Sequence, residues 1–214
     1  MYCSTIVLPF SFCASALAYP NYPQETQIPV ESLRTFGYYG NWDIYDRNFT
    51  IQDIDSTQFT HIMYAFANVN SSTGEVYLSD LYADVENNYP GDFPIDGSTN
   101  LFGSLKQLYL LKKKNRAIKT LLAIGGWEYS SNFPPVLSSE ALRVNFVSSA
   151  IALMTDHGFD GLDIDYEYVT DPTEGANMVC LLRDLRKAMD ALSSNTTSPP
   201  FLLSYASPAG PDKY

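Results

Sequence analysis

An α/β fold built on a parallel sheet is what the sequence predicts, and three observations carry the expectation. Five short segments are apolar or aromatic enough to be strands buried on both faces. Helical patterns fall between them, so strand and helix alternate as βαβ units with right-handed crossovers. The chemically distinctive residues, Trp42, Gly126, Trp127, Glu167 and Tyr168, sit just past strand ends. That C-terminal rim is where sites form on sheets of this kind.

Taken in order, the strands are expected at 36–39, 61–67, 119–124, 159–168 and 201–206, the third closed by Gly125-Gly126. Leu101, Leu105, Leu108 and Leu111 fall at helical spacing, and Lys112, Lys113 and Lys114 follow where cations favour a helix C-terminus. Ser138 reads as the N-cap of a helix carrying Leu142, Phe146, Ala150 and Leu153, stopped by Gly158 as its C′ glycine. Met178, Leu181, Leu182, Leu185, Met189 and Leu192 form a third apolar stripe. The excursion 69–100 emerges on the C-terminal rim with Tyr77, Tyr82, Tyr89 and Phe93. It either walls a cleft or packs as an ordinary loop. No internal repeat, heptad pattern or phosphate-binding Gly-x-Gly-x-x-Gly run is present.

With 214 residues, 45% of them apolar, the chain is long enough for one domain with a sizeable core. Its net charge of -11 argues against a nucleic-acid partner, whose phosphates demand a basic surface. The acidity suits a neutral substrate such as a polysaccharide, and equally suits solubility alone. Residues 1–18 carry no charged side chain and end in Ala16-Leu17-Ala18, which reads as a secretory signal peptide cut before Tyr19. Residues 19–34 form a lead to the domain. No apolar run is long enough to span a bilayer, so no membrane association is expected. Cleavage would remove Cys3 and Cys13, leaving Cys180 without a disulfide partner; it falls off its helix's apolar stripe and reads as partly exposed and inert. His61 and His157 belong to no Cys/His cluster, so neither a metal nor a cofactor is expected. The sequons at Asn48, Asn70 and Asn195 are glycosylation candidates in a secreted, extracellular chain. A monomer is expected.

The fourth strand carries the chemistry. Asp160, Asp163, Asp165 and Glu167 are spaced Asp-x-x-Asp-x-Asp-x-Glu. Side chains alternate along a strand, so Asp163, Asp165 and Glu167 share one face while Leu162, Ile164 and Tyr166 share the other. A row of like charges beside an apolar core is costly. A calcium loop would need a turn glycine after the acids, and none follows. A solvated acidic edge would not interleave them with Leu and Ile. Acid catalysis accounts for both faces.

This stretch resembles the Asp-x-x-Asp-x-Asp-x-Glu motif of glycoside hydrolase family 18, the chitinases. Gly37-Tyr38-Tyr39-Gly40-Asn41-Trp42, Thr60-His61-Ile62-Met63-Tyr64-Ala65-Phe66-Ala67, Leu121-Leu122-Ala123-Ile124-Gly125-Gly126-Trp127 and Ala206-Ser207-Pro208-Ala209-Gly210-Pro211-Asp212-Lys213 are similar to secreted fungal-type members. The resemblance covers nearly all of residues 35–214. It implies an incomplete (β/α)8 TIM barrel with about its first five strands, acting on chitin or chitooligosaccharides. It also implies retaining, substrate-assisted hydrolysis, an exception to the usual two-carboxylate scheme. Glu167 would be the general acid and base, needing to hold a proton until it meets the glycosidic oxygen. Asp165 would hold the substrate acetamide, and Asp163 would share a proton with it as a coupled pair. Asp160 would support the motif. Tyr38 would lie near the ladder, Trp127 would stack on a sugar and Tyr168 would line the cleft. Gly125 and Gly126 would let backbone approach the ligand.

Three departures from the family pattern stand out. Ala123 replaces a usual Ser whose hydroxyl supports the inner aspartate. Tyr166 replaces a usual Trp, faces away from the acids and should mainly affect packing. Val169 replaces a usual Pro and should loosen the loop after the acid. The family's sixth-strand Met-x-Tyr-Asp stretch and eighth-strand Trp have no counterpart in the sequence, so the chain is expected to be a truncated, weakly active piece of the catalytic barrel. The alternative is a non-catalytic, secreted chitin-binding or effector-like protein. Hydrolysis of the chitobiose core of N-glycans is a third expectation, less suited to the rim motifs.

Overall fold

Five parallel strands lie side by side in the order β1 (Phe36–Gly40), β2 (His61–Val69), β4 (Lys119–Gly125), β5 (Gly161–Asp165) and β6 (Leu202–Ala206) in this computed structural model, which describes residues 33–93, 100–194 and 199–208. A short β3 (Val76–Leu78) returns antiparallel along the end of β2. Four helices complete the order: α1 (Gly103–Lys114) before β4, α2 (Phe133–Ser138) and α3 (Glu140–Asp156) before β5, and α4 (Pro172–Ser193) before β6. Residues 1–18, read above as a signal peptide, with Cys3 and Cys13, and also Asn195, lie outside the described residues.

Register explains why the two sheet faces differ. Tyr39, Tyr64, Leu122, Leu162 and Leu203 form one in-register row, with Ile62, Ile124 and Ile164 on the same outer face. These side chains pack with Leu105, Leu108 and Leu111 of α1, Phe146, Ala150 and Met154 of α3, and Leu181, Leu185 and Met189 of α4. The inner face is lined by small and medium side chains, Met63, Ala65, Leu121 and Ala123, backed by Phe66 and Leu202. A row of large residues there would fill the space in front of the acids. Parallel strands in sequence order, covered by helices on one face and carrying the acids on the other, match the first strands of a (β/α)8 barrel.

The helix ends follow from their sequences. Asp171 caps α4 by accepting from Thr173 and Glu174 N–H groups, and Pro172 occupies the first helical position, where its missing N–H costs nothing. Gly158 follows α3 at φ 69°, as a C′ glycine should. The N-cap of α3 is Ser139, whose hydroxyl accepts from the Leu142 N–H, and not Ser138. Ser138 instead closes α2 and donates to the Pro135 carbonyl. The seam of α3 continues through Met154, which is fully buried, with Leu153 only partly so.

Strand β5 is shorter than expected, ending at Asp165 and not running on to Tyr168. There the Asp165 carbonyl is taken by the Gly126 N–H, and Tyr166 turns into the core to stack on Phe133 at 4.9 Å. The 69–100 excursion begins as the β2–β3 hairpin and continues into a single wide turn, Tyr82–Glu86. Its anchor is Asp84, fully buried, which accepts from the Tyr64 hydroxyl and the Asn41 amide. Burial pushes the Asp84 carboxyl above the usual carboxylate range.

Candidate active site

The acids project from the inner face of β5 and the connection after it. Asp163 is the deepest, 2% exposed, in register with Ala123 on one side and Ser204 on the other. Its Oδ2 accepts from the Tyr38 hydroxyl at 2.7 Å, and its Oδ1 accepts from the Ser204 hydroxyl at 2.6 Å. One layer up, Asp165 is half-buried between Gly125 and Ala206. Desolvation, then the charges of Asp163 and Glu167, push its carboxyl up to about 6. Burial and the same three acids raise the Tyr38 hydroxyl well above its ordinary value, so it remains a donor. Glu167 lies past the strand end, yet shares a cleft of about 390 Å³ with Asp165, Tyr38, Trp42, Arg47 and Phe66.

The aromatic rim is only partly gathered at this cleft. Trp42 stacks on Phe66 with ring centroids 5.9 Å apart, and Tyr38 leans on the same ring at 6.3 Å. Trp127 is 83% exposed on the loop after β4 and, like Tyr168, does not line the cleft. Gly125 and Gly126 have φ of 116° and 79°, conformations that favour glycine. A Cβ at Gly125 would strike the Asp165 carbonyl, and one at Gly126 the Phe66 ring. Gly125 thus lets β4 close against the acid strand, and Gly126 makes room for the Phe66 ring of β2. None of Tyr77, Tyr82, Tyr89 or Phe93 lines the cleft: Tyr89 is buried, and the other three are exposed.

Asp160 stands apart from the other acids. It sits at the opposite end of β5, where its carboxylate pairs with Lys112 at 2.7 Å and Lys119 at 3.6 Å and accepts from the Thr120 N–H. The first acid of the motif therefore joins β4, β5 and α1.

Loosening after Val169 is not seen. Glu174, in the first turn of α4, accepts from the Tyr166 hydroxyl at 2.6 Å and from the Thr170 N–H and hydroxyl at 2.8 and 2.9 Å. Tyr166 in place of a Trp supplies one of those donors, and Val169 packs against the core. The loop carrying Glu167 is therefore pinned on both sides of the acid's C-terminal neighbours.

Sequence reasoning missed Ser204, Phe66 and Arg47. Ser204 is visible only through register, because its role depends on which strand lies beside β5. Arg47 pairs with Asp43 at 3.3 Å and reaches the cleft from the turn after β1. Asn48 and Asn70 are both exposed; Asn70 accepts from the Ser72 and Thr73 N–H groups, while Asn48 adopts φ 47°. Cys180 is free and partly exposed. Among the described residues no three His, Cys, Asp or Glu side chains are grouped to hold a metal ion, and no helix is long and apolar enough to cross a membrane.

A cleft at the C-terminal ends of parallel strands, floored by stacked carboxylates and edged by aromatic rings, belongs to the glycosidase class of α/β barrels. Residues 34–214 match the glycosyl hydrolases family 18, and the chain belongs to that family. It is similar to chitinase 1 of Aphanocladium album, 48% identical over 178 residues, and to endochitinase 1 of Metarhizium anisopliae, 47% identical over the same length. Each alignment takes in 83% of this chain, and the chain spans 42% of the length of each relative. Among solved structures, the catalytic domain of psychrophilic chitinase B from Arthrobacter TAD20 overlays with a TM-score of 0.74 at 30% identity, covering 84% of this chain and 53% of that one. A mutant class V chitinase from Nicotiana tobaccum in complex with NAG4 overlays with a TM-score of 0.64 at 26% identity, covering 80% and 43%.

Proposed function

We propose that this chain carries the acid wall of a chitin-hydrolysing site, in which β-1,4-linked N-acetylglucosamine polymers are cleaved with retention of configuration. The observation that supports it most is the convergence of Tyr38, Asp165 and Glu167 on one cleft, with Asp163 held beneath them by two hydroxyl donors. Glu167 protonates the glycosidic oxygen and later activates water. The substrate's acetamido oxygen attacks the anomeric carbon, so no second protein nucleophile is required. Asp165 accepts from the acetamide N–H in its ionised form. Its raised value, about 6, lets it take up and release a proton as the positive oxazolinium-like intermediate forms and collapses. Trp42 and Phe66 offer ring faces to the sugar. The chain is secreted in this reading, and acts on chitin or chitooligosaccharides as a monomer.

The test uses the 214-residue chain with N-acetylglucosamine tetramer, following anomer release by proton NMR beside binding by calorimetry. Slow release of the β-anomer, reduced about 10²-fold or more by Glu167→Gln, is the expected result. Binding without cleavage would instead identify a non-catalytic chitin-binding protein. Release unaffected by Glu167→Gln would remove the proposed acid.

A further inference from the structure

The excursion 69–100 does not wall the cleft with its aromatic rings, yet a buried polar node ties it to the turn that carries Trp42. Asn41, 4% exposed, opens that turn, Asn41–Ile44, directly after β1. Its amide nitrogen has two protons, donated to the Ser79 hydroxyl and to Asp84 Oδ1, each at 3.0 Å. Asp84 also accepts from the Tyr64 hydroxyl and, at Oδ2, from the Asp80 N–H at 3.2 Å. Among the described residues no Lys, Arg or His pairs with this carboxyl. A buried acid without a cation is costly unless neutral donors use its oxygens, and here the donors come from three separate segments. Ser79 in turn donates to the Phe66 carbonyl. The node therefore grips the chain beside Trp42 and at Phe66, whose rings stack 5.9 Å apart at the cleft.

We propose that Asp84 is a positioning residue for the sugar-stacking ring of Trp42, acting through the Asn41 amide. This rests on the chitin reading of the cleft. The Trp42 ring lies over Gly40, where a Cβ would strike it, and at 48% exposure it keeps surface open to a ligand. Stacking depends on the plane of that ring, and the plane follows the backbone that carries it. Inside the turn, the Gly40 N–H donates to Asp43 Oδ2 at 3.3 Å and the Tyr45 N–H to the Trp42 carbonyl at 3.1 Å. Those bonds shape the turn internally. Two side chains reach from it to the excursion. The Tyr45 hydroxyl donates to Asp80 at 2.7 Å on the exposed surface, where water can replace either partner. The Asn41–Asp84 bond is buried, so nothing replaces a lost partner there. Without the Asp84 carboxyl, the Asn41 amide is one acceptor short in a dry site, and the turn rotates to find another.

The experiment is fluorine-19 NMR of the 214-residue chain labelled with 5-fluorotryptophan, read beside calorimetry with N-acetylglucosamine tetramer. The two tryptophans give two resonances, and Trp127→Phe assigns them. Asp84→Ala is expected to shift or broaden the Trp42 resonance and to weaken tetramer affinity about fivefold or more. Asp84→Asn keeps an oxygen for the Asn41 amide and is expected to leave the resonance in place, with affinity within about twofold of the parent. Tyr64→Phe removes a different donor from the same carboxyl and does not touch the turn. It is expected to lower the thermal midpoint and leave the Trp42 resonance unmoved. A Trp42 resonance unmoved by Asp84→Ala overturns the proposal, as does a moved resonance at parental affinity. An equal movement in Tyr64→Phe also overturns it, because the node would then act by general loosening. If Asp84→Ala does not fold, Asn41→Ala decides by the same two readings, since it cuts the link and leaves Asp84 its other two donors. The resonance is read without ligand, so a parent chain that fails to bind tetramer would count against the chitin reading without touching the coupling of Asp84 to Trp42.

Discussion

At the scale of single residues, the proton on Asp165 is the most consequential feature. A carboxyl that folds with a value of about 6, against an ordinary aspartate value near 4, binds more protons in the folded chain than in the unfolded one between those limits. The stability it contributes is complete below about pH 4 and is lost as pH rises through about 6. Asp165→Asn keeps the shape and removes the charge, so it should raise the thermal midpoint at pH 7.5 and leave it nearly unchanged at pH 4. Melts at the two pH values check this, and an equal shift at both would show that Asp165 is not destabilised by its acid neighbours. Asp163, Asp165 and Glu167 were legible in the sequence because period-two alternation and a costly row of like charges have few structural explanations. Tyr38 became legible through its family motif. Ser204 was not, because a serine within an apolar strand says nothing until register places it beside an aspartate.

Among the elements, the strands were legible because each is a dense apolar run with a distinct end, and the long stripes of α1, α3 and α4 fixed their helices. Two elements escaped. The six residues of α2 contain Pro134 and Pro135, which read as a break but are tolerated in a first turn. The three residues of β3 are too few to show a period. The loop after β5 is the element whose behaviour most affects the acid. It was expected to be loose without its proline, yet Glu174 holds it through three accepted hydrogen bonds. Glu174→Ala should free the Thr170 amide, speeding its hydrogen exchange about tenfold or more, and cost about 1–2 kcal/mol of unfolding free energy. Tetramer cleavage should fall through the rate constant more than through affinity, since Glu167 is then poorly oriented. Unchanged exchange at Thr170 would show that packing of Val169 and Tyr166 fixes the loop without the glutamate.

Across the whole molecule the two ends of the sheet carry different work. The acids that face the cleft lie at the C-terminal ends of the strands, and the fourth acid of the motif lies at the other end among Lys112, Lys119 and the Thr120 N–H. Barrel enzymes keep chemistry at the first end and stability at the second. Asp160 should therefore matter for folding and hardly at all for ligand. Asp160→Ala strands the Thr120 amide donor and leaves a partly buried Lys112 with the Gly158 carbonyl in place of its carboxylate, a loss of about 1–3 kcal/mol in unfolding free energy. Asp160→Asn keeps an acceptor for Thr120 and should lose less, because only the ion pairs disappear. Urea unfolding of both variants gives the stability order, and calorimetry with N-acetylglucosamine tetramer gives the affinity, expected to stay within about twofold of the parent when each variant is folded. Loss of tetramer binding in a variant of parental stability would contradict this division and place the bottom acid in the site's own machinery. A stability loss at parental affinity would mean that one eight-residue motif serves two purposes, with Asp160 stapling the floor of the sheet that holds Asp163, Asp165 and Glu167 in line.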